Sequence, residues 1–335
     1  MEYWLRRGKF EYSFDLPDEA EVYTAIPQVR SENISSNVVE EVRERTRGTD
    51  AVVVDYLPLR AYADLISQLE TRPILLSTWR VGEVMGDVII RDFSDREGVH
   101  LVDDFVKRGD LLKDIKSVAF IVPTLPTPLS GLSSSSQRFI TAVSGMVGVW
   151  PDALSRWASS LEVTTVGLSF GLDGSLLSVS SDETGGGSYV ARLPKRYDAV
   201  IASVGGEPLD QTLMLSINAL LLSSRVIKGS GTVILVTECE KGIGSEKLLR
   251  YLLTSEVDDE SSYHYLMATS VKGVRENYHV GMVTPLPKSY VEGVCGFRSF
   301  DTIQDSVHYI TRLHGKGLSV CLIPHGYVTD PLIEE

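Results

Sequence analysis

The chain has 335 residues, 43% hydrophobic and 23% charged, with 32 Lys and Arg against 45 Asp and Glu for a formal net charge of −13. That acidic balance argues against nucleic acid as a partner, because phosphate binding wants a basic surface. No apolar run approaches the ~18–20 residues of a membrane span, so no membrane partner is expected. Three scattered cysteines (Cys239, Cys295, Cys321) make no CxxC pair, and the N-terminus lacks a signal-peptide core; both point to a reducing cytoplasm.

In chain order, Lys9–Asp15 alternates as a strand through Phe10, Tyr12 and Phe14, and Leu16-Pro17-Asp18 turns out of it. Ser31–Arg47 reads as a polar helix. Asp50–Asp55 is a buried strand, followed by a helix at about Arg60–Glu70 and a strand at Pro73–Thr78, the alternation of a doubly wound α/β domain. Asp114–Val122 is a further strand. A Pro/Ser-rich loop leaves it, and Arg138–Val147 reads as a helix whose first amides suit an anion. Ser178–Ser188, polar and Gly-rich, marks the expected domain boundary.

Asp198–Ser245 reads as one βαβ unit. Asp198–Val204 is a buried parallel strand. Gly205-Gly206 breaks it, since a sharp strand-to-helix turn needs backbone angles that Gly adopts cheaply. Leu213–Val226 is a buried helix, ended by Lys228-Gly229-Ser230-Gly231. Thr232–Thr237 is the second strand, and after Gly242 and Gly244 a helix begins that Ser245 caps. Val280–Leu286 and Leu318–Pro324 are further strands, with helix Ser299–His314 between them. The expected architecture is α/β: two doubly wound αβα domains with a cleft between them. The first spans 1–185, joined by the tail 325–335, and the second spans 186–324.

The pattern Asp-x-Val-x-x-Ser-x-Gly-Gly-x-Pro-x-Asp from Asp198, then Glu238-Cys239-x-x-Gly242-x-Gly244-Ser245-Glu246, resembles the C-terminal domain of the nickel-pincer lactate racemase family. Gly86-Asp87-Val88, Pro126, Gly131, Ser133 and Gly145 extend the likeness, and an opening Gly8-Lys9 with Leu16-Pro17 is similar to the family's start. The resemblance implies a shortened, divergent member. It also implies racemisation of a 2-hydroxy acid by hydride transfer to a nickel-pincer cofactor, which needs two acid/base histidines, an attachment lysine and a nickel-ligating histidine.

The family's catalytic residues do not carry over. The loop histidine falls on Thr127 and the lysine on Gln137 or Arg138. The Asp-x-Thr-Arg-Pro motif keeps Asp55, with Arg60 displaced, and Thr-Gly-Thr-His-Arg aligns with Ser77-Thr78-Trp79-Arg80. The Tyr-Gln-x-x-Lys motif lands on Met214, Leu215 and Asn218. The six histidines (His100, His264, His279, His308, His314, His325) lie elsewhere, and none stands at the i, i+4 spacing that shares a metal. His325, beside the turn Pro324–Tyr327, is the one least readily read as structural.

The expectation is a lactate racemase-like protein without the racemase chemistry, with no cofactor and no metal, holding a small anion in the cleft. The polar groups at the matching loops are Asp55, Arg60, Arg80, Thr127, Ser133, Arg138, Asp210 and Gln211. Two alternatives stand beside it: an enzyme on a small carboxylate or phosphate by another route, and an active 2-hydroxy-acid racemase or epimerase with an unrecognised site. Homo-oligomerisation, or a related subunit, is left open by the sequence.

Overall fold

The computed structural model describes residues 1–27, 29, 38–70, 73–77, 93, 97–102, 114–126, 139, 160–172, 174–180, 189–254 and 263–334. The chain divides into two compact units. One comprises Met1–Gln28, Ser188–Val257 and His264–Glu335, the other Val29–Gly187 with Asp258–Tyr263. Among the described residues no helix is long and apolar enough to cross a membrane.

The chain opens with β1 (Glu2–Arg7), β2 (Phe10–Asp15) and β3 (Glu21–Thr24). The 29–187 unit then runs α1 (Val38–Thr46), β4 (Ala51–Asp55), α2 (Arg60–Ser67), β5 (Ile74–Ser77), β6 (Val99–Leu101), β7 (Ser117–Pro123), β8 (Glu162–Phe170) and β9 (Leu176–Ser180). Its sheet has the order β6-β5-β4-β7-β8-β9, parallel except for the antiparallel β8–β9 pair. Every residue of β4 is buried, as a central parallel strand covered on both faces requires. Ala51, Val53, Leu75, Val118, Phe120 and Val122 pack on one face with Phe139.

The C-terminal unit continues with β10 (Val190–Leu193), β11 (Tyr197–Ser203), α3 (Leu213–Ser224), β12 (Ile227–Val236), α4 (Glu246–Leu253), α5 (Tyr263–Asn277) and β13 (His279–Val283). A π-helical turn, Ser289–Val294, precedes β14 (Arg298–Phe300), α6 (Ile303–His314), β15 (Ser319–Ile323) and β16 (Asp330–Ile333). The sheet order is β14-β13-β12-β11-β15-β3, all parallel. Alternate residues of the central strands (Ala199 and Ile201, Ile234 and Val236, Val320 and Leu322) face a core shared with Leu5 and Phe14 of the β1–β2 hairpin and with Val307 and Ile310 of α6. Ser245 caps α4 by accepting from Leu248 N, as its position predicts.

Four expectations are corrected. The first 28 residues belong with the C-terminal unit: β3 pairs with β15, and Leu5, Phe14 and Leu16 join that unit's core. The tail also stays there, because Asp330–Ile333 pairs in parallel with β10. Lys228–Gly231 does not end the helix. α3 stops at Ser224, β12 starts at Ile227, and the irregular register there is absorbed by Ser230 at φ 61° while Lys228 reaches Asp198. The expected boundary segment holds the change of unit at Gly187/Ser188 but is narrower than expected, because Ser178–Ser180 pair with β8 as the end of β9. The helix read at Arg138–Val147 lies outside the described residues, Phe139 excepted.

Candidate functional site

Connections leave β11 toward β12 on one side, while β15 is laid down on the other, so the crossover direction reverses between β11 and β15. In open parallel sheets the carboxyl ends of the strands at such a reversal are where ligands bind. Two turns meet there. Gly326 N donates to Ser203 O at 2.7 Å and Tyr327 N to Val204 O at 3.1 Å, which holds the turn after β15 against the end of β11. A Cβ on Gly326 would stand 2.8 Å from Ser203 O and 2.9 Å from Ala219 Cβ, so the approach requires glycine.

The tip of the β1–β2 hairpin comes to the same edge. Ser203 Oγ donates to Arg6 O and accepts from Gly205 N at 3.1 Å. Gly8 N donates to Asp210 Oδ2 at 2.6 Å, and Glu207 N donates to Gly8 O at 2.9 Å. The Arg6 side chain lies over Gly206, where a Cβ would fall 2.6 Å from its Cδ and 2.7 Å from its Nε. His325 stands over Gly205, whose Cβ would be 3.9 Å from its Nδ1. Burial, with the Arg6 charge adding to it, lowers the His325 pKa below the ordinary histidine value.

Beside this pair most polar groups are internally satisfied, Asp210 Oδ1 excepted. Asp210 is fully buried, and its Oδ2 also accepts from Glu238 N at 3.3 Å. Burial raises the Asp210 pKa against those two donors, and the neighbouring Glu238 charge adds to the rise. Its Oδ1 has no hydrogen-bond partner among the described residues. Arg7 Nε stands 3.0 Å from Glu238 Oε2, and Lys9 Nζ 3.4 Å from Glu207 Oε2. Cys239 N donates to Asp210 O at 2.7 Å and Lys241 N to Gln211 O at 2.8 Å, which fastens the turn after β12 to the turn after β11. Burial pushes the Cys239 thiol up to about 12, so it packs rather than reacts.

The candidates from sequence separate into three groups. Asp210 and Gln211 do reach the strand-finish edge but are used within it: Asp210 as above, and Gln211 through Nε2 to Glu207 Oε1 at 3.0 Å. Asp55 is fully buried at the end of β4, at the carboxyl edge of the other sheet. Arg60 starts α2, almost fully exposed, with Nε 3.8 Å from Asp64 Oδ2. Arg80, Thr127, Ser133 and Arg138 lie outside the described residues. Sequence reasoning missed Arg6. The Gly8-Lys9 pair beside it was the available signal.

Residues 193–329 match the family model of the lactate racemase C-terminal domain. The chain carries a lactate racemase C-terminal domain over that stretch. Its structure is similar to the lactate racemase apoprotein of Thermoanaerobacterium thermosaccharolyticum, with a TM-score of 0.69 at 16% identity over 100% of both chains. It is also similar to a protein from Thermotoga maritima, with a TM-score of 0.54 at 13% identity over 93% of this chain and 100% of that one. At such identities the two likenesses concern the fold. No curated protein matches the chain.

On this lactate racemase-like fold, the positions that the family resemblance gives to Tyr-Gln-x-x-Lys fall in the first turns of α3. Met214 and Leu215 are each 1% exposed there, and the Asn218 amide donates to Tyr327 O at 2.9 Å. That turn presents core packing, capped by Thr212 accepting from Leu215 N. Among the described residues no group of three His, Cys, Asp or Glu stands together as a metal site. His314 Nε2 is 2.8 Å from Thr232 Oγ1 and His308 Nε2 is 3.4 Å from Gln304 Nε2. His264 is buried, its pKa lowered to about 4 by desolvation and then by the Lys247 charge. Met214, Leu215 and Asn218 supply neither a lysine nor a titratable group at those positions.

Proposed function

We propose that this lactate racemase-like protein has lost the nickel-pincer racemisation of 2-hydroxy acids, carries no cofactor, and holds a small anion. The observation behind the proposal is the first turn of α3. Two buried apolar side chains, Met214 and Leu215, stand where the resemblance implies polar contacts to substrate, and an apolar packed turn cannot hold a carboxylate. The sequence supports the same reading at the other loops. Thr127 cannot titrate near neutrality, and Arg138 keeps a charge without an amine that could attach a cofactor.

A second reading, an enzyme on a small carboxylate or phosphate by another route, is favoured by His325, an imidazole whose pKa burial and the neighbouring Arg6 charge lower. Three buried free cysteines fit a reducing cytoplasm. The test is lactate interconversion by protein produced with the pincer-assembly enzymes and nickel. No conversion of either lactate enantiomer above the protein-free rate is expected. Nickel-dependent interconversion would return the racemase reading.

A further inference from the structure

The small-anion reading has no address on Asp210, a buried acid whose Oδ2 already accepts from Gly8 N and Glu238 N, or on Gln211, whose amide donates to Glu207. Resting on that reading, we propose that Arg6 and His325 form a site for a small oxyanion, the carboxylate of an organic acid or a phosphate, at the carboxyl edge between β11 and β15.

The first argument is charge. Several basic side chains around the C-terminal unit meet acids (Arg7 with Glu238, Lys9 with Glu207, Lys195 with Glu21, Arg225 with Asp330, Lys228 with Asp198), and Arg196, Lys272 and Arg275 are taken up by backbone carbonyls. Among the described residues, Arg6 and His325 have no acid partner and no side-chain hydrogen bond, although each lies close enough for the Arg6 charge to act on the imidazole. In a chain of net charge −13, the Arg6 charge is left without an acid and disfavours protonation of His325 until an anion joins them.

The second argument is preorganisation. Arg6 is not a loose surface arginine at its backbone. Its carbonyl is held by Ser203 Oγ, the next turn residue but one is held by Asp210, and its stem rests on a residue with no Cβ. His325 is fixed by the turn whose Gly326 N and Tyr327 N bond to Ser203 and Val204. Binding therefore orders little that is not already ordered. A guanidinium fork with an imidazole N–H suits the two or three oxygens of a carboxylate or phosphate.

The third argument is position. The pair sits at the reversal of strand order, and its two members come from the end of β1 and the turn after β15, which only the fold brings together.

The test is a titration of the full chain with sodium phosphate and, separately, sodium lactate at constant ionic strength. It follows the ring resonances of His325, assigned with His325→Gln, and the heat of binding. A saturable shift of His325 with at least one of the two anions is expected. Arg6→Gln should weaken that binding at least about tenfold, and Arg6→Lys should recover part of it. Saturation by phosphate alone or by lactate alone supports the site and names its ligand class. Heat of binding that persists unchanged in both Arg6→Gln and His325→Gln overturns this site while leaving the small-anion reading standing. No binding of either anion by the wild type overturns both. Arg6 is exposed and held through its backbone, so unchanged thermal unfolding of Arg6→Gln serves as the control for folding.

Discussion

At the edge where β11 and β15 begin, Asp198 Oδ2 accepts from Ser319 N at 2.8 Å and from Ser319 Oγ at 2.6 Å, and Lys228 Nζ stands 2.8 Å from Asp198 Oδ1. At the edge where the same two strands end, Arg6 and His325 stand side by side with no acid among the described residues to answer them. One end of the sheet closes its charges internally; the other leaves this pair open. The contrast teaches which end holds strands together and which is available to a ligand, as the geometry of parallel sheets leads one to expect.

The strongest way to break this comparison is at the fully buried acid on the open edge. Asp210→Ala would strip the acceptor from Gly8 N and from Glu238 N, leaving two backbone donors without it beside a buried site. Chemical denaturation should show a loss of about 2–4 kcal/mol, since each orphaned donor costs about 1–3 kcal/mol. A loss under about 1 kcal/mol would mean that Asp210 does not hold the hairpin tip.

A smaller effect is expected at the strand starts. Burial pushes the Asp198 carboxyl up, but the Lys228 and Ser319 hydrogen bonds and the Lys228 charge outweigh it and hold the pKa at about 2. The folded value lies below the unfolded ~3.9, so the stabilisation is present above about pH 4 and is lost as pH falls through about 2. At neutral pH, allowing for its partial exposure, Asp198→Asn should cost about 1–2 kcal/mol. Acid titrations of wild type and variant should converge below about pH 2. Parallel curves across that window would remove Asp198 from the account.

The smallest effect belongs to the open pair. Arg6→Gln should move the melting temperature by no more than about 2 °C without anion, since no described side chain depends on it. A saturating anion should stabilise the wild type alone, by mass action on the folded state. A large fall in melting temperature without anion would make Arg6 structural and dissolve the contrast.

How far the sequence spoke follows the same physics. The β11–α3–β12 unit was legible because a small, β-branched run, a Gly pair and an apolar helix each have a local cause, and Ser245 capped α4 where its side chain predicted. β1 and β3 were not legible. The residues EYWLRR and EVYT carry charges and are half exposed, and only pairing with β2 and β15 makes them strands. The start of β12 hid behind Gly229 and Gly231, which locally read as a helix end. Asp210 and Gln211 were placed on the right edge but in the wrong role, because burial and hydrogen bonding are settled by the hairpin tip. Arg6 and His325 lie at opposite ends of the chain, and no spacing rule could join them.

The central claim is that this lactate racemase-like scaffold carries an anion in place of pincer chemistry, and native mass spectrometry tests it most directly. The protein would be produced with the pincer-assembly enzymes in the presence of nickel. The account predicts an unmodified chain mass that retains a small anion, with retention lost in Arg6→Gln. A covalent adduct of pincer mass would contradict it.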